Sequence, residues 1–244
     1  MTMLFPDRAA PVIFEAEVDS TNTRLKTIAD HAADATVIAA GRQSGGRGRL
    51  GRSFASPEGG VYLSILLAPK SDLSRCLTLT PTAAVAVRRA IKRCCGISAD
   101  IKWPNDLQLR GKKLCGILTE AVSAGGEVKI IIGIGVNLNT RAEDFPPELR
   151  DSACSVFSAT GSITPPEALI RALTGELDAM YALWRKNPGW ALDEYRAACA
   201  TLGQRVRRGE VCGRAVAVGD DFALYIQSDD GSTTAVTSGE VLTI

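Results

Sequence analysis

The sequence lacks the residues from which several common catalytic and metal sites are built. It contains one histidine, His31, so a Ser-His-Asp or Cys-His catalytic set has a single residue to draw on. Its seven cysteines are odd in number, include no Cys-x-x-Cys pair and have no histidines nearby, which argues against a disulfide framework and a zinc site. We therefore expect reduced and mostly buried cysteines, as is usual in the cytosol.

Excess charge and long apolar runs are also missing. The 244 residues carry 28 Lys+Arg against 27 Asp+Glu, which disfavours a polyanion as the main partner. No apolar run reaches the ~18 residues of a membrane span, and residues 1–10 have neither the basic start nor the apolar stretch of a signal peptide. These absences predict a cytoplasmic globular protein, long enough for one large core and a small second domain.

The segment 41–54 is the most distinctive stretch of the sequence. Its first twelve residues include five glycines and four arginines, a composition that predicts a loop. Apolar runs at 35–40 and 61–67 predict strands on either side of it. Because glycine lets backbone N–H groups approach a ligand and arginine offers donors for carboxylate or phosphate, an anion-binding loop is favoured over a solvated connector.

Three more specific interpretations of this loop do not fit its context. Gly46-x-Gly48-x-x-Gly51 has the spacing of a dinucleotide fingerprint, but that motif must open a helix, and here it leads towards another predicted strand. The Gly-Lys-Ser/Thr of a phosphate loop is absent. An Arg/Gly segment that binds nucleic acid usually belongs to a strongly basic chain, which this is not.

The rest of the chain predicts alternating strands and packing helices. Helices are expected from the N-caps at 19–22 to about residue 29, and over 80–95, 166–186 and 190–200; strands are expected at 12–18, 97–103, 107–109, 113–120 and 128–139. On the residues alone, Ser20 and Thr21 are candidate N-caps, a role that need not exclude hydrogen bonding to a ligand. We expect an irregular connection over 141–161, a domain boundary at 203, and a small β-barrel in the last forty residues.

Two groups of polar or small residues fall on the predicted strands. Lys102, Asp106 and Lys113 lie near strand ends on a hairpin, where they either converge on a pocket or form a charged surface. Gly133 and Gly135 interrupt an apolar strand, which indicates close approach by a backbone or ligand, or packing by a helix.

Four motifs occur in sequence: Gly46-Arg-Gly-Arg-Leu-Gly-Arg52, Lys102-Trp-Pro-Asn-Asp106, Lys113-Leu-Cys-Gly-Ile-Leu-Thr-Glu120 and Gly133-Ile-Gly-Val-Asn-Leu-Asn139. In this order they resemble the motif series of biotin protein ligases. The resemblance implies an α+β catalytic domain at 1–203, with a mixed, mainly antiparallel sheet flanked by helices as in class II aminoacyl-tRNA synthetases, and an SH3-like domain at 204–244. With the first strand expected at about residue 12, we expect the monofunctional type, without the DNA-binding module of some members.

The activity implied by the resemblance has two steps. ATP, with Mg²⁺, activates biotin to biotinyl-5′-AMP, and biotin is then transferred to a lysine of the biotin carboxyl carrier domain of acetyl-CoA carboxylase or a related carboxylase. We expect no protein-only metal site, no DNA or membrane partner, and a monomer or homodimer. Two alternatives remain. One is a lipoate-type ligase or acyltransferase, for which Cys115 would be the candidate catalytic cysteine. The other is a non-catalytic biotin- or nucleotide-binding module.

Matching motif positions also implies residue roles. Lys113 would contact the carboxylate and α-phosphate, Arg49 would close over the adenylate linkage, and Asp106 would steady this site or a Mg²⁺, with Lys102 as a supporting charge. The residues implied to contact biotin are Ser20, Thr21, Asn22, Gln43, Arg47, Gly48, Arg49, Lys113 and Gly116. Those implied to contact ATP or the adenylate are Arg47, Arg49, Phe54, Asn105, Asp106, Lys113 and Asn137. Ser53-Phe54 stands where many members have Lys-Trp, so Phe54 is the aromatic residue available for stacking on adenine.

Overall fold

The computed structural model describes residues 1–244 and contains two β-sheets. The larger sheet has eight strands in the order β1-β2-β3-β4-β8-β7-β6-β5, and within it β2 and β3 run parallel while the other neighbours are antiparallel. Its strands are β1 Thr2–Leu4, β2 Val12–Val18, β3 Val37–Gln43, β4 Val61–Leu67, β5 Asp100–Lys102, β6 Asp106–Leu109, β7 Lys112–Ala124 and β8 Glu127–Val136. The smaller sheet, in the order β12-β11-β10-β9-β13, consists of β9 Arg205–Arg208, β10 Val211–Val218, β11 Leu224–Gln227, β12 Thr233–Val236 and β13 Leu242–Thr243.

Six α-helices accompany the sheets: α1 Thr21–Ile28, α2 Leu73–Cys76, α3 Leu79–Cys95, α4 Val156–Thr160, α5 Pro166–Lys186 and α6 Leu192–Ala198. Helix α3 ends where Gly96 adopts a left-handed conformation with φ 72°, which glycine accepts without a side-chain clash. None of the helices combines the length and apolarity needed to cross a membrane.

The central strand β4 shows how the sheet divides the core. All seven of its residues are buried, and side chains alternate between the two faces. Leu63 and Ile65 face the main core with helices α3 and α5, whereas Leu66 packs with Leu25 of α1 on the opposite face. Helix α1 covers only one end of that second face, and the rest carries the site described below.

The structure confirms the expected fold class, a mainly antiparallel sheet flanked by helices with a small C-terminal β-sheet. Several boundaries were wrong. A strand, β1, precedes the one expected to be first, because residues 2–4 pair with β2. Strand β3 extends through Gln43, so the glycine- and arginine-rich segment begins inside the sheet, and α4 forms within the region expected to be irregular. The division into domains at residue 203 stays a prediction; the second sheet begins at Arg205.

Candidate active site

A cleft lies on the sheet face that α1 leaves uncovered. Its floor is formed by β7 and β8 at Gly116, Leu118, Gly133 and Gly135, and the loop after β3 lies over it. The cleft encloses about 980 Å³, including open solvent at its mouth. That size is within the range of small-molecule sites.

The cleft brings together residues that are far apart in the sequence. Of the site residues implied by the resemblance, all except Asn137 line it: Ser20, Thr21, Asn22, Gln43, Arg47, Gly48, Arg49, Phe54, Asn105, Asp106, Lys113 and Gly116. Lys102 lines it as well, so the hairpin charges converge on a pocket instead of forming a separate charged surface.

One end of the cleft is uncharged and rich in hydrogen-bonding groups. Ser20, Thr21 and Asn22 are buried at the start of α1. Ser20 occupies the N-cap position, yet its hydroxyl makes no capping hydrogen bond and lines the cleft. Gln43 accepts a hydrogen bond from the Thr21 backbone N–H at 2.8 Å and donates to Ser56 Oγ at 2.9 Å. The base of the loop is therefore tied to the helix start.

The two glycines of β8 explain how side chains reach the floor. A Cβ on Gly133 would lie 2.2 Å from Asn22 Oδ1, and one on Gly135 would lie 2.5 Å from the ring of Phe54. The close approach expected at these positions therefore exists, and it is made by side chains from α1 and the loop. Phe54 also meets Tyr62 edge-to-face at 6.5 Å between ring centroids, which fixes the phenylalanine ring against the sheet.

The other end of the cleft is cationic. Five cationic side chains line the cleft, Arg47, Arg49, Arg52, Lys102 and Lys113, against two carboxylates, Asp106 and Glu240. This excess of positive charge suits an anionic ligand.

Polar contacts to neighbouring side chains hold Lys113 and Arg49 in place. Lys113 Nζ forms an ion pair with Asp106 Oδ2 at 2.7 Å. Arg49 Nη1 donates to Asn105 Oδ1 at 2.9 Å, and Asn105 is itself fixed by donating to the backbone oxygen of Ile117 at 2.6 Å. Burial lowers the pKa of Arg49, although an arginine stays charged at neutral pH.

The C-terminal segment supplies a wall of the cleft that was not predicted from the sequence. Gly239, Glu240 and Val241 line the cleft, and the Gly239 carbonyl oxygen lies 3.4 Å from Arg49 Nη1. Glu240 forms an ion pair with Arg52 at 2.5 Å. The hydrogen bond from Arg52 lowers the pKa of Glu240, so this carboxylate is charged at neutral pH. The sequence of this segment carries only a turn signal, Ser-Gly, before a short apolar run.

Asn137 is placed behind the cleft. The side chain is buried, and its Nδ2 donates to the backbone oxygens of Cys154 at 3.0 Å and Lys113 at 3.4 Å. Asn137 thus has the hydrogen-bond partners that a polar residue on an apolar strand requires. Because one of them is the Lys113 backbone, Asn137 supports the strand that carries Lys113. Its contact with a nucleotide stays a prediction.

Cys115 is buried beside Lys113, on the strand β7. Burial raises the pKa of its thiol, since the thiolate would lose its hydration. No three His, Cys, Asp or Glu side chains come together as a metal site.

Known proteins similar to this chain agree with one another. The family described as the biotin/lipoate A/B protein ligase family matches residues 14–137. A bifunctional ligase/repressor BirA from Bacillus spizizenii is 33% identical over 228 residues, covering 90% of this chain and 70% of that protein. A biotin–acetyl-CoA-carboxylase ligase from Paracoccus denitrificans is 31% identical, with 88% of this chain and 89% of that protein covered. The structure of a biotin protein ligase from Aquifex aeolicus in complex with biotin and ATP is similar, with a TM-score of 0.83, 30% identity, and coverage of 95% of this chain and 97% of that chain.

Proposed function

Because the chain belongs to the biotin/lipoate A/B protein ligase family, we propose that it is an ATP-dependent biotin protein ligase. The observation that carries the proposal is the division of the cleft into two ends of different chemistry. One end presents buried, uncharged hydrogen-bonding groups that suit a neutral polar ring. The other end concentrates cations that suit a carboxylate and the phosphates of ATP.

The first half-reaction we propose is activation of the biotin carboxylate. A carboxylate does not acylate an amine at neutral pH, because it lacks a good leaving group. One of its oxygens attacks the α-phosphorus of ATP, the bond from that phosphorus to the bridging oxygen breaks, and pyrophosphate leaves. Lys113 gives one of its three N–H groups to Asp106, and the hydrogen bonds of Arg49 use only Nη1. Both residues therefore keep donors for the charge that develops on the phosphate oxygens.

The second half-reaction transfers biotin from biotinyl-5′-AMP to a protein. The amine of an acceptor lysine attacks the acyl carbon, the bond from that carbon to the phosphate oxygen breaks, and AMP leaves while the amine loses a proton. A relative named biotin–acetyl-CoA-carboxylase ligase supports a carboxyl carrier domain as the acceptor. Mg²⁺ would enter with the ATP phosphates, while Asp106 would steady Lys113 through their ion pair.

A lipoate-type ligase or acyltransferase of the same family is the second candidate. A dithiolane ring has no N–H or C=O group, so it could not use the hydrogen-bonding capacity that Ser20 and Thr21 present to this end of the cleft. A transferase that uses cysteine needs a reactive thiolate, and the raised pKa of Cys115 opposes this. Both observations favour biotin.

The proposal is tested by exchange of labelled pyrophosphate into ATP. We expect exchange that depends on biotin, because adenylation is reversible, and none with lipoate alone. Mass spectrometry of the same mixtures identifies the adenylate. An adenylate formed only with lipoate would overturn the substrate, and biotin binding without exchange would make the protein a non-catalytic binding module.

A further inference from the structure

A series of hydrogen bonds lies behind the uncharged end of the cleft, and two of its members, Glu120 and Ser64, do not line the cleft. Glu120 on β7 accepts hydrogen bonds from Asn22 Nδ2 at 2.8 Å and Lys26 Nζ at 2.7 Å. Ser64 on β4 is fully buried, and its Oγ lies 2.6 Å from both Asn22 Oδ1 and Thr21 Oγ1. These contacts connect Glu120, through Asn22 and Ser64, to the Thr21 hydroxyl in the cleft.

The direction of every hydrogen bond in this series is set by its first member. A carboxylate can only accept, so Asn22 turns its NH₂ to Glu120 and its oxygen to Ser64. An amide oxygen also can only accept, so Ser64 must donate its single proton to Asn22. The contact between Ser64 and Thr21 then requires Thr21 to donate.

The second neighbour of the Thr21 hydroxyl imposes the same direction. Gln43 Oε1 accepts from the Thr21 backbone N–H at 2.8 Å and lies 3.2 Å from Thr21 Oγ1, so Gln43 presents oxygen to Thr21. Both neighbours of Thr21 Oγ1 are therefore acceptors. The single proton of Thr21 is directed into the protein, and its lone pairs are left for the cleft.

We infer that Glu120 and Ser64 are positioning residues that fix the Thr21 hydroxyl as a hydrogen-bond acceptor and so select a ligand carrying N–H at this end of the cleft. A cyclic urea such as the ring of biotin has that group. This inference rests on the proposed function, and it adds two residues to recognition that have no contact with the ligand space. It also assigns Asn22 a role inside the protein, since its amide is used by Glu120 and Ser64.

Lys26 makes the inference testable with an isosteric change. In Glu120→Gln, one amide oxygen replaces two carboxylate oxygens, and the Lys26 ammonium, which can only donate, takes it. The new NH₂ group then faces Asn22, which must rotate its amide to present oxygen. Ser64 is left to accept from Asn22 and to donate to Thr21. The Thr21 proton then goes to Gln43 Oε1, and Ser64 takes one of the two lone pairs that Thr21 otherwise offers to the cleft.

The experiment measures biotin binding by calorimetry and the separate KM values for biotin and ATP in pyrophosphate exchange. For Glu120→Gln we expect biotin affinity to fall roughly 3- to 10-fold, with the ATP KM unchanged, because the ligand N–H meets a Thr21 oxygen that Ser64 already uses as an acceptor. Lys26→Met alone keeps the carboxylate and should bind nearly as wild type. The double variant Lys26→Met/Glu120→Gln frees the amide oxygen to face Asn22, so biotin affinity should recover.

Several outcomes would overturn the inference while leaving the proposed function intact. Suppose that the wild type binds biotin. Unchanged affinity in Glu120→Gln, or no recovery of affinity in the double variant, would then show that the direction of these hydrogen bonds does not matter for binding. If thermal unfolding shows that Glu120→Gln does not fold, Ser64→Ala tests the same series from its middle. Without Ser64 the Thr21 hydroxyl is held only by Gln43 at 3.2 Å, so we expect a few-fold loss of biotin affinity without a change in ATP KM, and unchanged affinity refutes the inference. Wild type that binds no biotin refutes the proposed function itself.

Discussion

The sharpest test of the cationic end is replacement of Lys113 by alanine. Lys113 lines the cleft with its ammonium 2.7 Å from Asp106, whereas its neighbour Lys112 is exposed and does not line the cleft. Adjacent residues of a strand point to opposite faces, so Lys112→Ala is a matched control that removes the same charge one position away. We expect Lys112→Ala to leave adenylate formation within a factor of about two, because exposed charges contribute ~0–1 kcal/mol.

The expected effect of Lys113→Ala has two parts. Removing a preorganised donor at the point where charge develops lowers kcat by ~10²–10³. The substitution also leaves the Asp106 carboxylate, which is 23% exposed, without its counter-ion in the cleft where we propose that ATP binds. That second part should raise the KM for ATP. Adding Asp106→Asn should restore the KM for ATP partly, while kcat stays low.

The assay is biotin-dependent exchange of labelled pyrophosphate, with circular dichroism and thermal unfolding to confirm that each variant is folded. Equal and small effects of Lys112→Ala and Lys113→Ala would refute the role given to Lys113. A double variant with the same KM for ATP as Lys113→Ala would refute the repulsion by Asp106.

Three further substitutions test other parts of the cleft. Arg49→Gly removes the contacts to Asn105 and Gly239 and should release the adenylate from the cleft. The released adenylate would be detected as biotin attached to an added protein that has no carrier domain. Labelling equal to that by the wild type, with adenylate synthesis confirmed in both enzymes, contradicts this. Gly133→Ala places a methyl group 2.2 Å from Asn22 Oδ1 and should displace the Asn22 side chain. The biotin KM should then rise, roughly tenfold for each 1.4 kcal/mol of binding energy lost. An unchanged KM contradicts this. Cys115→Ser should keep pyrophosphate exchange within a few-fold, because the buried thiol has a raised pKa and no proposed chemical role. Complete loss of exchange in a folded variant would contradict this.

The local chemistry of the loop and of β8 could be predicted from the sequence. The side chains that contact these two elements could not. Glycines at 133 and 135 interrupt an apolar strand, and this alone predicts a close approach. That Asn22 and Phe54 are the groups that approach depends on how α1 packs across the sheet and how the loop folds back. Such contacts are set by tertiary packing, which a strand pattern does not encode.

Asn137 shows the opposite limit of sequence reasoning. Its place in the last motif implies a nucleotide contact, yet its amide donates to two backbone carbonyls behind Lys113. A polar residue on an apolar strand requires a partner, but sequence does not reveal whether that partner is a ligand or the protein's own backbone. The C-terminal wall was missed for a related reason: the approach of Gly239 and Glu240 depends on how the second sheet docks, with Trp103 Nε1 donating to the backbone oxygen of Phe222 at 2.9 Å.

The contacts around the loop divide it into a fixed base and a weakly held tip. At the base, Gln43 and Ser56 are hydrogen-bonded to each other, and a Cβ on Gly46 would lie 2.3 Å from the Phe54 backbone oxygen, so this part is closely packed. At the tip, the ion pair of Arg52 with Glu240 has side chains 61% and 40% exposed. Such a pair contributes ~0–1 kcal/mol, whereas ordering each residue of backbone costs roughly 1–2 kcal/mol. The hydrogen bond of Arg49 to Asn105 adds about 1.5–3 kcal/mol, which is still less than the ordering cost of the several residues of the tip. We therefore expect closure to draw also on contacts between the arginines of the tip and an anionic ligand. We expect such a loop to stay open to incoming substrates and to close once the ligand at the cationic end of the cleft carries a phosphate.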